Sequence, residues 1–190
     1  MKELCVKTVD ALRRRGYEAL YVATKEEALS AVLEEARAVE SIGWGGSETL
    51  KEIGAREAIA AMGKEIRAYE TKMDLFLLSA NALTADGKIV NIDGSGNRIA
   101  ASIFGPGRVL YVVGCNKIVE GGIDAAIDRV KRFACAPNCR RLGKRTPCAE
   151  TGVCADCDSP DRICKVTAIF DRPPTRTPTR VIVVGEALGY

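Results

Sequence analysis

Ser41-Ile42-Gly43-Trp44-Gly45-Gly46-Ser47-Glu48-Thr49 is the stretch that decides the fold. A short apolar run enters a cluster of glycines, and a serine follows at the place where a helix needs a cap. Glycine permits the tight turn, and Ser47 is suited to accept a hydrogen bond from the first turn of a helix. A strand that passes through a tight turn into a helix is half of a βα unit. Such units build parallel sheets.

The pattern repeats in both directions. Upstream, residues 2–15 carry Leu4, Val9 and Leu12 at helical spacing, and Gly16 stops the helix. YEALYVA (17–23) reads as a strand, and Thr24 with Glu27 forms a capping box for a helix over 25–37. Residues 39–43 read as a short buried strand. Downstream, Ser47 opens a helix over 48–62, and 65–69 and DLFLLS (74–79) read as strands. Asp86-Gly87 marks a hairpin between 83–85 and 88–92. A helix over 97–104, the buried strand RVLYVVG (108–114) and a helix over 122–133 follow. Strands at 165–171 and 180–184 flank the linker RPPTRTPT. The expected architecture is α/β: an open, mainly parallel sheet flanked by helices, in one domain over 1–190. A Cys-rich insertion lies at 135–164, read as a poorly periodic loop. Ligands in such sheets lie beyond the carboxyl ends of the strands.

Bulk properties narrow the function. The 190 residues are 47% hydrophobic and 28% charged, with a net charge of +3. That charge is too small to argue for nucleic acid, although Arg129, Lys131, Arg132, Arg140, Arg141, Lys144 and Arg145 bunch before the cysteines. The bunch reads either as a solvated helix face or as an electropositive rim for an anion or a redox partner. No apolar run approaches the ~18 residues of a membrane span, and the first residues do not form a signal peptide. A cytoplasmic location is expected. The chain has no histidine, so acid–base work falls to carboxylates, Lys, Tyr or Cys.

Three glycine-bearing motifs supply candidate ligand-binding residues. In the first, Gly43, Gly45, Gly46 and Ser47 bring backbone N–H groups near a ligand at the start of a helix, or simply make a capped turn. In the second, Asp93, Gly94, Gly96, Asn97 and Arg98 open another helix. Asp93 suits ligand hydroxyls and Arg98 suits an anion, and the competing reading is an Asx-type turn. Asn81, at the end of DLFLLSAN, faces the same crevice in this reading. In the third, Lys117 follows RVLYVV, placed to meet a carboxylate or act as a base, or else exposed to solvent. Lys117 and Asp93 are the candidate catalytic residues. Cys5 and Cys115 read as buried.

The strongest signal is sulfur. TPCAETGVCADCDSPDRIC holds Cys148, Cys154, Cys157 and Cys164 in a C-x5-C-x2-C-x6-C pattern, with Cys135 and Cys139 just before it. In a reducing compartment, clustered cysteines are metal ligands or redox groups more often than disulfides. Four thiolates suit a [4Fe-4S] cluster or, alternatively, Zn. A single C-x2-C pair flanked by lone ligands favours the cluster over zinc. It also argues against a zinc-ribbon nucleic-acid module. Cys135 and Cys139 have no assigned role. A fully thiolate-ligated centre would transfer electrons or staple the loop.

These residues together resemble the LUD-domain, or lactate-utilisation, family. The resemblance rests on SIGWGGSETLKEIG, SANALTADGKIVNIDGSGNRIA, GCNKIV, RRLGKRTPC with the cysteine pattern and SPDRIC, and VVGEALGY. It implies a NagB/RpiA/CoA-transferase-like fold with a ligand crevice near the glycine turns. Some relatives work with iron–sulfur and flavin-type partners in oxidising lactate to pyruvate. The stretch between Met62 and Asp74 is shorter than the family pattern, which also has other residues at Cys135 and Cys139. The expected function is a metalloprotein of lactate or related organic-acid metabolism, an oxidoreductase or a subunit of one. Its partners are then a small anionic substrate and redox proteins, and a homo-oligomer is open to it. The alternative is a small-anion or acyl/phosphosugar-type enzyme with a structural metal staple.

Overall fold

The computed structural model describes residues 1–67 and 72–190. Six strands, β1 (Glu18–Val22), β2 (Ser41–Trp44), β3 (Glu65–Arg67), β4 (Leu75–Leu78), β7 (Arg108–Gly114) and β10 (Thr179–Val184), form one sheet in the order β1-β10-β7-β4-β2-β3. All of its pairings are parallel. Part of the 65–69 strand read from the sequence, Ala68 and Tyr69, lies outside the described residues. A second, four-stranded sheet takes β8 (Ile118–Val119), β5 (Ala82–Thr84), β6 (Ile89–Asp93) and β9 (Val166–Phe170), in that order. β5 and β6 make the hairpin signalled by Asp86-Gly87, and β9 runs antiparallel to β6. The 165–171 segment is therefore a strand, but it leaves the main sheet.

Burial explains why the central strands pair this way. β4 is buried at every position and β7 at all but its first, the continuous apolar pattern of a parallel strand covered on both faces. On one face, Leu12 of α1 (Lys2–Arg14) packs with Phe76, Tyr111 and Val183. On the other, Val32 of α2 (Lys25–Arg37) packs with Ile59, Leu77, Val112 and Val184.

Two helices depart from expectation. The span 48–62 divides into α3 (Glu48–Glu52) and α4 (Ala55–Ala61), because Gly54 takes φ 69° between them. Further on, α5 (Asn97–Ile103) and α6 (Gly122–Arg129) form as read, but α6 does not stop before the cysteines. It passes through a π-helical turn, Val130–Ala134, into α7 (Cys135–Arg141), and α8 (Pro147–Thr151) follows. The loop read from the sequence is thus partly helical. Pro137 lies inside this continuous helix and offers no N–H to the turn before it, and that turn is the wider, π-helical one.

Candidate functional site

The carboxyl ends of β2, β4 and β7 open onto one crevice, where a parallel sheet presents its ligands. Its narrow floor is lined by Gly46, Ser47, Ser79, Asn81, Arg98 and Lys117, with Asn138 and Arg141 of α7 and Tyr190 on the opposite side. It widens into a mouth of about 600 Å³ over Asp93, Gly94, Asn97, Arg98, Lys144, Arg162 and Lys165. Residues of all three motifs therefore line one crevice.

Lys117 sits in the 3₁₀ turn Cys115–Lys117 after β7 and is 4% exposed. Its ammonium donates to Thr49 Oγ1 at 2.7 Å and to Ser79 Oγ at 3.0 Å. Among the described residues no carboxylate forms an ion pair with it. Burial pushes its pKa down to about 7, and the nearby guanidinium of Arg129 adds to that lowering. Arg129 is itself buried, and gives N–H groups to the carbonyls of Asn81 and Asn116.

Arg98 and Asp93 form an ion pair in which Asp93 is almost fully enclosed. Asp93 also accepts the backbone N–H of Ile99 at 3.0 Å, so it ties β6 to the first turn of α5. The guanidinium of Arg98 bonds through Nη2, toward Asp93, Ile92 O and Asn81 Oδ1. Its other guanidinium edge has no protein partner among the described residues. Ser47 accepts from Leu50 N as the cap of α3, but that helix has only five residues. Gly43 lies inside β2 for packing: a Cβ there would meet Met73 Sδ at 1.8 Å. Gly45 is held by Leu77 O, and only Gly46 has open space beside it.

The cysteines separate into two groups. Cys5 and Cys115 are buried together in the main core, as read. In the late segment, Cys139 and Cys148 stand with sulfurs 3.7 Å apart, and Thr146 Oγ1 lies 3.3 Å from Cys148 Sγ. Cys135 and Cys164 line one small cavity, and Cys164 packs against the apolar cluster that holds Cys135. Arg162 donates to the carbonyls of Cys157 and Cys164, so it shapes the turn between them. Cys154 and Cys157 are half-buried. Among the described residues no group of three Cys, Asp or Glu side chains already converges on a single metal-binding point. The Cys139–Cys148 spacing fits one edge of a metal site: a tetrahedral tetrathiolate with bonds of about 2.3 Å has an edge of roughly 3.8 Å.

Sequence reasoning missed Thr49, Ser79 and Arg129 as neighbours of Lys117. It also missed that α7 faces the crevice with Asn138 and Arg141. Ser79 and Thr49 lay inside quoted motifs, but nothing in the sequence paired them with a lysine so far along the chain. No helix among the described residues is long and apolar enough to cross a membrane.

No curated protein gives a significant match to this chain. A similar solved structure is that of a DUF162-family protein from Deinococcus radiodurans. It has a TM-score of 0.59 and 17% identity, covering 96% of this chain and 97% of that one. That likeness extends the α/β fold. The family model described as LUD domain matches residues 5–184, nearly the whole sequence, and the chain belongs to the LUD-domain family.

Proposed function

We propose that this LUD-domain protein binds a small organic-acid anion of the 2-hydroxy- or 2-oxo-carboxylate class, in keeping with lactate utilisation. Lys117 carries the reading. It is a buried amine without an ion-paired carboxylate among the described residues, at the floor of a crevice with an excess of cationic side chains. A carboxylate arriving there supplies the missing counter-charge. The open edge of Arg98 is suited to grip it by two parallel bonds. Asn81 and Ser79 offer polar groups for the substituent on the second carbon. In a chain without histidine, an amine poised near pH 7 is suited to take or return a proton on that substituent. Asp93, engaged by Arg98 and Ile99, positions Arg98.

The cysteine segment beside the crevice is the seat of a metal centre in this reading, an iron–sulfur cluster or zinc held by the late thiolates. Such a centre, when bound, supplies electron transfer or a structural staple. The anion-binding half is tested by thermal melting with lactate, pyruvate and longer 2-hydroxy and 2-oxo acids at millimolar concentration. A rise in melting temperature for the intact protein that disappears in Lys117→Met supports it. No shift with any of these acids overturns it.

A further inference from the structure

We propose that Cys135 and Cys139, on α7, are metal ligands, closing a mononuclear four-thiolate site with Cys148 and Cys164 around one thiophilic divalent ion. The inference rests on the metal half of the proposed function and fixes which sulfurs carry it.

Three observations lead there. Cys139 and Cys148 are both buried, with sulfurs 3.7 Å apart, already the edge length of a tetrahedral thiolate site. A cubane cluster instead puts each thiolate on a different iron, so its sulfurs stand further apart than one ion's edge. The second observation is that Cys135 and Cys164 line one small cavity, together with Asn138 and Ile163. Third, the two pairs are tied together. Cys135 and Cys139 are one helical turn apart on α7, and Ile163, next to Cys164, packs against Cys139 and Cys148. Cys139 and Cys148 already make one edge of a tetrahedron, and an ion that draws in Cys135 and Cys164 completes it. Thiolates bound to a metal give up their protons, so closure releases protons to solvent.

The test uses the full chain, purified without oxygen, with Zn(II) as the probe. Metal content is measured first. Cysteine alkylation is then mapped by mass spectrometry with and without Zn(II), which needs no substitution that might disturb folding. One ion per chain, no acid-labile sulfide, and Zn(II)-dependent protection of Cys135, Cys139, Cys148 and Cys164 but not Cys154 or Cys157 is the expected result. Cys139→Ser should weaken Zn(II) binding by at least about tenfold, while the Cys154→Ser/Cys157→Ser double variant retains it. Metal that protects Cys148, Cys154, Cys157 and Cys164 while Cys135 and Cys139 stay reactive overturns the inference and leaves the metal reading standing. So does stoichiometric acid-labile sulfide, which marks a cluster. A chain that takes up neither zinc nor iron removes both.

Discussion

The side-chain nitrogen of Lys117 lies 2.7 Å from the hydroxyl of Thr49, joining the end of β7 to α3 across 68 positions of sequence. A hydroxyl does not neutralise an ammonium, so the lysine keeps its charge only at the cost of desolvation. That cost makes the protein sensitive to pH.

Below about pH 7 the lysine is protonated both folded and unfolded, and the folded state bears the full penalty of burying the charge. Between about 7 and the ordinary value of 10.5 only the unfolded chain is protonated, so stability rises with pH across that window. The penalty is on the order of 3–5 kcal/mol. Lys117→Met should raise stability at pH 7 by about 1–3 kcal/mol, the lost hydrogen bonds offsetting part of the gain. It should also flatten the rise. Urea titrations of both proteins at pH 7 and pH 10 check this.

Anion binding should pull a proton onto Lys117. At pH 8 the free amine is mostly neutral, and a bound carboxylate favours its charged form. Calorimetry in buffers of different ionisation enthalpy should show proton uptake approaching one per site. The uptake should vanish in Lys117→Met.

The Arg98–Asp93 pair is a second point of fragility. Removing the guanidinium leaves an enclosed carboxylate with only the Ile99 N–H. Arg98→Ala should cost roughly 3 kcal/mol, and adding Asp93→Asn should recover part of it. Equal unfolding midpoints for the single and double variants would contradict this.

Gly43 and Met73 should be coupled. A Cβ at position 43 collides with the Met73 sulfur and crowds Phe76, so Gly43→Ala should destabilise by about 1–3 kcal/mol. Combining it with Met73→Ala should show an interaction of about 1 kcal/mol in a double-mutant cycle.

Strand β7, the hairpin and α2 were legible because each signal is local: an unbroken apolar run, Asp86-Gly87, and Thr24 with Glu27. Gly87 shows why the hairpin signal is strong. It takes φ 87°, and a Cβ there would lie 2.8 Å from the backbone of α1. The Lys117 neighbourhood was legible only in part. The motifs pointed to one edge of the sheet, but the partners of the lysine depend on long-range contacts. The cysteine segment was read as a loop for a different reason. Its helices are short and polar and contain prolines, so they have no apolar period to read.

Helix α7 is barely two turns long, yet its residues reach two places at once: Asn138 and Arg141 look into the cationic hollow, while Cys135 and Cys139 look toward the sulfurs behind it. So short a rod turns as one piece. Whatever re-aims the amide must swing the thiols as well, and an experimenter who edits either side should score both.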